Sequence, residues 1–474
     1  PPARALRLGV AGRIEENPTQ PVFGRRKIAF LDYVLALRRA ATDESVGKVY
    51  LTLGANSLNW AQAQEIRSAL EQLSALGKSV TVYLAEPSNR NYFLACSADK
   101  IILAPVGYLG LTGLYAELTF VGGTLEKLGV KVDGERIGEH KTAPEFFTNR
   151  EPSEANKAYV NRLLDEIYDQ FVAAIAVGRG LSPERVREII DKGPLTSREA
   201  LEAGLVDVLA YPDEVKKRVP DLDLPVVSLR DYLFEEPFTE DWIKPPVVAV
   251  VVAEGEIRKG AADGAPLSEG SVSAAGVGQG FSQARATPGV RGIAFRVNSP
   301  GGSALESDLI YRQADLARER LPLNVSLGGV AASGGYYIAA PGRRVFASPA
   351  TITGSIGIYA LKPDFSGLYE KIELGKYSAQ RGENAGIFSP SKPFSDSERE
   401  RLSSGLQAFY QRFIQVVGEN RGLAVDSVDA LGRGRVWTGR EALRVGLVDS
   451  LGGLWEAIAA TAADAGLEEF EVRL

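Results

Sequence analysis

A serine surrounded by small residues is the strongest candidate for a nucleophile in this chain. Ser333 lies in the run Gly328-Gly-Val-Ala-Ala-Ser-Gly-Gly-Tyr-Tyr337, just before a segment whose pattern predicts a helix. At a helix start a hydroxyl gains exposure, the field of the helix dipole and a neighbouring backbone N–H, here that of Gly334. A serine in a glycine-rich loop can equally be a turn or cap residue, so this run alone leaves both interpretations open.

A second glycine-rich turn could bind a developing negative charge. The run Val297-Asn-Ser-Pro-Gly-Gly302 follows a predicted strand and precedes a predicted helix. Consecutive glycines let backbone N–H groups approach a ligand closely, as an oxyanion hole requires. Gly301 and Gly302 are therefore both candidate donors, and the alternative interpretation is a plain tight turn.

The base that would activate such a serine has two candidates. The chain has one histidine, His140, and Lys141 follows it. A lysine acts as a general base only if burial lowers its pKa toward neutrality, and Phe146 and Phe147 could supply apolar cover. In an extended segment the two side chains point to opposite sides, so only one of them can serve.

The chain contains the same domain twice. Ala200-Leu-Glu-Ala-Gly-Leu-Val-Asp207 returns as Ala442-Leu-Arg-Val-Gly-Leu-Val-Asp449, and Arg179-Gly-Leu181 returns as Arg421-Gly-Leu423. The period is far longer than that of a solenoid repeat. We therefore predict two domains, 1–240 and 241–474, with the acidic, proline-containing stretch 235–246 as the boundary.

The two copies have lost opposite halves of one site. The position of Ser333 is Asn89 in the first copy, and the Pro-Gly-Gly turn becomes Ser57-Leu-Asn59. Aligning Leu374–Ala379 with Ile137–Thr142 places Ser378 at the position of Lys141. One copy keeps the lysine and the other keeps the serine. Any Ser-Lys dyad must therefore bridge two domains, within one chain or between chains.

The sequence pattern around these residues predicts alternating strands and helices. Such alternation predicts parallel β-α-β units and an α/β fold with flanking helices. In the first copy the pattern predicts strands at Lys48–Leu53, Ser79–Leu84 and Lys100–Leu103, and helices at Ala61–Leu76 and Ala158–Ile175. In the second copy it predicts strands at Gly292–Val297, Asn324–Leu327 and Arg344–Phe346, and a helix at Leu305–Arg320.

Composition argues against several classes of function. The formal net charge is −6 without a basic cluster, so we expect no nucleic-acid partner. No apolar run approaches the length of a membrane span, and we expect any membrane anchor to lie upstream of Pro1. The single cysteine, Cys96, excludes an internal disulfide and a cysteine metal cluster. We expect neither metal nor cofactor.

These motifs on a duplicated α/β chain resemble the signal peptide peptidase A family in its long, two-domain bacterial form. The resemblance implies two tandem Clp-protease/crotonase-like domains and a Ser-Lys dyad. Carried over by motif, Ser333 is the nucleophile and Lys141 is the general base. Ser355, in Thr353-Gly-Ser-Ile-Gly357, helps to hold the lysine. The oxyanion donors are Gly334 together with Gly302 or Gly301.

The resemblance also implies a biological role. It indicates a serine endopeptidase that degrades cleaved signal peptides and similar short apolar peptides. It implies a homo-oligomer, with a tetramer favoured, at the bacterial cell membrane with its catalytic part outside the cytoplasm. Two alternatives remain open: a crotonase-like acyl-CoA enzyme, which would use paired N–H groups on a thioester without a covalent serine, and a non-catalytic peptide-binding scaffold.

Overall fold

The first half of the chain alternates strands and helices, as the apolar periodicity predicts. The computed structural model describes residues 4–21, 23–218, 224–234, 245–260 and 270–474. In chain order the elements of the first half are β1 (Arg4–Gly12), α1 (Phe30–Thr42), β2 (Val46–Asn56), α2 (Trp60–Ala75), β3 (Ser79–Leu84), α3 (Asn89–Ala95), β4 (Lys100–Leu103), β5 (Tyr108–Leu109), α4 (Gly122–Leu128), β6 (Lys131–Ile137), α5 (Glu145–Thr148), α6 (Glu154–Arg179), α7 (Pro183–Ile190), β7 (Leu195–Thr196), α8 (Ser197–Glu202), β8 (Val208–Leu209), α9 (Val215–Arg218), β9 (Val226–Ser228) and α10 (Leu229–Phe234).

Six of these strands form one parallel sheet in the order β8-β4-β3-β2-β1-β9. Parallel neighbours need a crossover connection, and α1, α2 and α3 supply it between successive strands. Helix α2 begins with a capping box between Asn59 and Gln62. It ends where Gly77 adopts φ +79°, so that glycine is the expected terminator.

The second half repeats this plan. In chain order its elements are β10 (Val247–Glu254), β11 (Glu256–Ile257), β12 (Ser271–Val272), α11 (Ala274–Ala286), β13 (Val290–Ser299), α12 (Ala304–Arg318), β14 (Leu323–Ala332), α13 (Gly334–Ala339), β15 (Val345–Ala347), β16 (Ile352–Gly354), β17 (Ile358–Asp364), α14 (Ser366–Lys371), α15 (Asp396–Arg421), α16 (Val425–Leu431), β18 (Val436–Thr438), α17 (Gly439–Arg444), β19 (Ser450–Leu451), α18 (Leu454–Asp464) and β20 (Glu471–Arg473).

The sheet of the second half follows the order β18-β16-β14-β13-β10-β20, with β15 beside β14 and β19. All its pairings are parallel except β16 with β18. Strand β10 lies between β13 and β20 as β1 lies between β2 and β9. Each half also buries its own apolar cluster around its sheet. The predicted duplication is therefore visible in topology and in packing.

The predicted elements agree closely with the structure, because their signals are local. The strands Ser79–Leu84 and Lys100–Leu103 have the predicted bounds, and the long helix predicted from Ala158 is part of α6. The matched capping boxes at Thr196 and Thr438 begin α8 and α17. Residues 235–244 lie outside the described part of the chain, so the boundary placed at 240 stays a prediction.

One strand pair joins the two halves. Strand β6 of the first half pairs with β17 of the second in an antiparallel register that runs from Lys131 opposite Asp364 to Ile137 opposite Ile358. Arg399 on α15 clamps this pair through ion pairs with Asp133, at 2.7 Å, and with Glu135. The segment that follows β6 is thereby carried into the second half.

A buried ionic cluster also fixes the halves against each other. Arg296 on β13 is fully buried, and its guanidinium lies 2.8 Å from Glu16 and 2.7 Å from Glu65, both in the first half. The other Glu65 oxygen accepts from the N–H of Leu454, the first residue of α18. Burial raises the pKa of Glu65 to about 7, against the opposing effect of Arg296. Two carboxylates around one guanidinium make each half depend on the other.

Within the described ranges, none of the helices combines the length and apolar character needed to cross a membrane.

Candidate active site

Ser333 lies where β14 passes into α13, at the carboxyl edge of the second sheet. Its backbone has φ 54° and ψ −124°, a conformation that few residues other than glycine adopt. Its N–H donates to the Gly354 carbonyl at 2.8 Å, which holds the turn. Strained turns of this kind concentrate at functional sites, where surrounding structure holds them in place.

The side chain of Lys141 reaches this serine from the other half. Its Nζ lies 2.9 Å from Ser333 Oγ. The same nitrogen lies 2.9 Å from the carbonyl oxygen of Ser355 and 2.9 Å from Ser355 Oγ. Three oxygens therefore surround one amine, and the two partners predicted to be split between the copies meet within a single chain.

Burial changes the proton affinity of this amine. Lys141 is 4% exposed. Desolvation lowers the pKa of Lys141 from 10.5 to about 7, and it is the one cause of the shift. An amine with this pKa is largely neutral at mildly alkaline pH, which a proton acceptor must be.

The loop that carries Lys141 is seated on a glycine of the second half. Gly434 has φ +80°, and a Cβ on it would lie 2.3 Å from the backbone nitrogen of Lys141. The His140 N–H donates to the Arg433 carbonyl at 2.8 Å. Only glycine permits this close approach. The approach sets how far the Lys141 side chain reaches into the candidate active site.

His140 points elsewhere, although its segment is a turn and not extended, with the Lys141 N–H donating to the Gly138 carbonyl at 3.1 Å. Its Nε2 lies 2.9 Å from an Arg435 nitrogen and 3.4 Å from a Glu139 carboxylate oxygen. Burial and the neighbouring Arg435 guanidinium lower the pKa of His140. The structure thus brings Lys141, and not His140, to the serine hydroxyl.

The Pro-Gly-Gly turn presents one N–H to the cleft. Ile257 donates to the Gly301 carbonyl at 2.8 Å and accepts from the Ser303 N–H at 2.8 Å. Gly302, the residue between, therefore directs its own N–H away from that strand. A Cβ on Gly302 would lie 2.1 Å from the Ile257 carbonyl oxygen, so only glycine fits.

The N–H of Gly301 is already engaged, whereas that of Gly334 is not held inside its helix. Gly301 donates to Ser299 Oγ at 3.2 Å. Gly334 is the first residue of α13, where a backbone N–H has no intrahelical acceptor. A Cβ on Gly334 would lie 3.4 Å from the nitrogen of Gly302, so the two N–H groups are neighbours. This geometry favours Gly302 over Gly301 as the second donor.

A cleft of about 650 Å³ is lined by Lys141, Ser333 and Ser355 together with Gly302 and Gly334. Apolar side chains line it beside the polar ones, among them Ile257, Ile358, Phe409 and Phe413. A larger cavity of about 780 Å³ between the halves is lined by none of the candidate catalytic residues. The cleft is of a size that suits a short stretch of peptide with apolar side chains.

The equivalent place in the first half is closed. Asn89 accepts from the Thr112 N–H at 3.0 Å and donates to the Gly113 carbonyl at 2.7 Å. Leu58 replaces a glycine of the turn and is buried, and its carbonyl accepts from Arg90. In the first half, side chains therefore occupy backbone groups at this place.

The alignment of Ser378 with Lys141 needs adjustment. Helices α4 and α14 and the runs Gly113-Leu-Tyr-Ala116 and Gly357-Ile-Tyr-Ala360 are related by 244 residues, which places Ala385 at the lysine position. Ser378 lies in an exposed segment seven residues earlier. Ala385 also lacks an amine, so the inferred loss of the lysine in the second copy is unchanged.

Sequence reasoning missed two supporting residues, Gly434 and Ser299. Comparison of the copies could have found Gly434, because Lys192 stands at its position in the first copy. No comparable signal marks Ser299, because its role depends on a turn geometry that becomes visible only in three dimensions.

Over most of its length this chain is similar to proteins named as proteases. It is 32% identical over 431 residues to "Serine protease SPPA, chloroplastic" from Arabidopsis thaliana, which covers 89% of this chain and 63% of that protein. It is 30% identical over 502 residues to "Protease 4" from Salmonella typhi, which covers 99% of this chain and 79% of that protein. The class that these similarities define is a serine protease.

The model of peptidase family S49 matches the chain twice, over residues 72–223 and 315–468. The chain therefore belongs to peptidase family S49. Among solved structures it is similar to a ClpP1 mutant from Listeria monocytogenes, at 15% identity and a TM-score of 0.29, covering 44% of this chain and 94% of that one; the superposition is too loose to support an argument. The predicted tandem duplication of an α/β domain is confirmed by the paired family matches and the two mainly parallel sheets, and the Clp-protease/crotonase-like assignment stays a prediction.

Proposed function

We propose that the chain is an endopeptidase in which Ser333 is the nucleophile and Lys141 is the general base. The observation that carries the proposal is the 2.9 Å separation of Lys141 Nζ and Ser333 Oγ around an amine that is almost completely buried. A buried lysine that serves only as a fixed cation is normally paired with a carboxylate, which offsets the cost of its desolvation. Here the acceptors are two serines and one carbonyl.

The acylation step follows from this arrangement. Neutral Lys141 takes the proton from Ser333 Oγ as the oxygen bonds to the scissile carbonyl carbon. The carbonyl oxygen becomes an oxyanion, and the N–H groups of Gly302 and Gly334 donate to it. The Lys141 ammonium then protonates the leaving amine as the C–N bond breaks. Ser355 holds the amine through its Oγ and its carbonyl in both charge states.

Release of the acyl group reverses the proton transfers. Lys141, neutral again, takes a proton from a water molecule that attacks the ester carbon. The same two N–H groups stabilise the second oxyanion. Collapse of this intermediate breaks the bond to Ser333 Oγ, which recovers its proton from Lys141. No group outside the chain and the water is consumed.

The substrates we propose are cleaved signal peptides and similar short apolar peptides. The apolar lining of the cleft by Phe409, Phe413 and Ile257 supports this choice, because such side chains exclude water and accept apolar residues. The motif resemblance to the signal peptide peptidase A family supports it too. Assembly into a tetramer, association with a membrane and a location outside the cytoplasm stay predictions.

Three alanine variants test the dyad against the histidine alternative. Ser333→Ala and Lys141→Ala should each lower kcat/KM on an apolar fluorogenic peptide by more than about 10⁴-fold, as removal of a nucleophile or base does elsewhere. His140→Ala should retain most activity. An inactive His140→Ala together with an active Lys141→Ala would reject the assignment of the base.

Covalent labelling separates a protease from the two alternatives. A serine-reactive fluorophosphonate should label the protein at Ser333, detected by peptide mass spectrometry, and should not label Ser333→Ala. Turnover of an acyl-CoA thioester by an unlabelled protein would favour the crotonase-like enzyme. Peptide binding without cleavage or labelling would favour the scaffold.

A further inference from the structure

One arginine holds the backbone of the lysine that meets Ser333. Arg136, the penultimate residue of β6, donates from one guanidinium nitrogen to the Lys141 carbonyl at 3.1 Å. The same nitrogen lies 3.4 Å from a carboxylate oxygen of Glu145. A single cationic nitrogen therefore links the peptide group of Lys141 to a carboxylate that follows it in the chain.

Glu145 is fixed from its other side by the start of α6. The Ser153 N–H and the Asn156 side-chain amide donate to one of its oxygens, each at 3.1 Å, and the Ser153 hydroxyl donates to the other at 2.7 Å. Burial alone would raise the pKa of Glu145, but these hydrogen bonds and the one from Arg136 lower it below its ordinary value. The residue is 3% exposed, and its ionised carboxylate lies at the positive end of a 26-residue helix.

The loop between β6 and α5 carries Lys141 and also presents Ala143 to the cleft. Its internal backbone hydrogen bonds are short-range, among them the one from the Lys141 N–H to the Gly138 carbonyl. The contacts of Arg136 and Glu145 tie this loop to the neighbouring elements β6 and α6. The loop is thereby held from its own half as well as by its seat against the second half.

The copy that lacks the lysine also lacks both of these residues. The spacing of 244 residues that marks the loss of the lysine places Gln380 at the position of Arg136 and Ser389 at that of Glu145. An arginine and a carboxylate that served only the fold should have been kept in both copies, as the capping boxes of α8 and α17 are. Their joint replacement indicates that they serve the lysine.

We propose that Arg136 and Glu145 are positioning residues that hold the Lys141 backbone so that its amine meets Ser333. The inference rests on the proposed function, because these residues have this role only if Lys141 is the base. Neither residue lines the cleft, so both act through the lysine. The amine stands at the end of a long flexible stem, so a shift of its peptide group moves it away from the serine. A misplacement of about 1 Å can lower a rate about 10²-fold.

The proton affinity of Lys141 depends on the same hold. Burial is the one cause of its lowered pKa. None of the charged groups described around the loop contributes to that lowering; these groups are Arg136, Glu139, His140, Glu145, Arg433 and Arg435. A loosened loop admits water to the amine, and the pKa of Lys141 then rises toward its ordinary value of 10.5. Loss of the hold should therefore change the pH dependence of catalysis as well as its rate.

The pH profile of Arg136→Ala tests this role. On the apolar fluorogenic peptide, kcat should fall about 10²-fold at pH 7 while KM stays within about threefold, because the contacts with substrate are unchanged. The acidic limb of kcat/KM should also move to higher pH. A rise of one unit in the pKa of Lys141 makes the deficit about tenfold larger at pH 6 than at pH 9.5. The rate at which the fluorophosphonate labels Ser333 should shift in the same way without any peptide.

Two further variants separate positioning from folding. Arg136→Lys supplies one cationic nitrogen, and because one nitrogen makes both contacts, this variant should recover most of kcat and the unmodified limb. Glu145→Gln keeps the side-chain volume without the charge, and it should move the limb in the same direction by a smaller amount. Arg187→Ala is the matched control and should change neither quantity, because Arg187 is exposed to nearly the same degree and pairs with Asp169 between α7 and α6.

The outcomes distinguish this inference from the proposed function. A shifted limb in Arg136→Ala and Glu145→Gln, restored in Arg136→Lys, supports the positioning role. A loss of kcat by the same factor at every pH would make the two residues merely structural and overturns the inference. An unchanged limb, in a protein whose Lys141→Ala variant is inactive, overturns this inference alone. Peptide cleavage by Lys141→Ala would reject the lysine as the base and the positioning role with it.

Discussion

Ser333 and Asn89 stand at the same place in the two halves, at the start of a short helix that follows a strand of the sheet. The Asn89 side chain forms hydrogen bonds with the backbone of Thr112 and Gly113 in its own half. Ser333 makes its side-chain contact with Lys141 of the other half. The fold therefore accepts either residue at this place. The two places differ because only Ser333 receives a side chain, that of Lys141, from the other half.

Exchange of these two residues should have the largest effect. Ser333→Asn gives the second half the residue of the first, and it should lower kcat/KM by more than about 10⁴-fold because the nucleophile is gone. Asn89→Ser should leave kcat/KM within about twofold, because the first half lacks the glycine turn and the second copy has Ala385 in place of the lysine. A fluorogenic peptide assay measures both. Measurable cleavage by the double variant would show that the first half retains a working site.

The cluster that joins the halves should matter next, through stability. Arg296→Met leaves Glu16 and Glu65 buried without their cation and should cost about 3–5 kcal/mol of unfolding free energy. Urea unfolding followed by tryptophan fluorescence measures it. The exposed pair of Arg312 with Asp315 supplies the control, because Arg312→Met should cost at most about 1 kcal/mol.

The carboxylates supply a second check on that cluster. Adding Glu16→Gln and Glu65→Gln to Arg296→Met removes the uncompensated charges and should recover part of the lost stability. Equal stability of Arg296→Met and the unmodified chain would mean that the halves are held together by apolar contacts alone.

The glycine turn should give a smaller, purely catalytic difference between the halves. Gly302→Ala introduces a Cβ against the Ile257 carbonyl and displaces a proposed oxyanion donor. It should lower kcat by about 10²–10³-fold. Gly405→Ala, on the exposed face of α15 with no atom near its Cβ, should change nothing. An unchanged kcat in Gly302→Ala would remove Gly302 from the oxyanion hole.

Most of the candidate site could be predicted from the sequence, because residues that serve catalysis in one copy are replaced in the other. Ser333, Lys141 and the glycine turn each stand out by their absence in the other half. The residues alone left His140 and Lys141 both open, and the motif resemblance selected Lys141. The geometry behind that choice depends on the contact of their loop with Arg433 and Gly434, far along the chain. The pairing of β6 with β17 was equally hidden, because neither strand shows an apolar alternation that identifies its partner.

The two copies also differ at the lysine position, where the first has Lys141 and the second has Ala385. The pH dependence of kcat/KM should report the protonation of Lys141. Only the neutral amine accepts a proton, so kcat/KM should rise about tenfold per pH unit below the lysine pKa of about 7 and level off above it. His140→Ala should keep this limb, which excludes the imidazole as its source. Loss of the limb in His140→Ala would reassign the base.

The pH dependence of the unfolding free energy should also report the lowered pKa of Lys141. Between pH 7 and the ordinary lysine value of 10.5, the unfolded chain binds a proton at this amine that the folded chain does not. The unfolding free energy of the unmodified chain should therefore rise with pH relative to Lys141→Met, by about 1.4 kcal/mol per unit. Urea unfolding at pH 7, 8 and 9 measures the difference. A constant offset between the two proteins would mean that Lys141 keeps an ordinary proton affinity, and the amine could not then serve as the base near neutral pH.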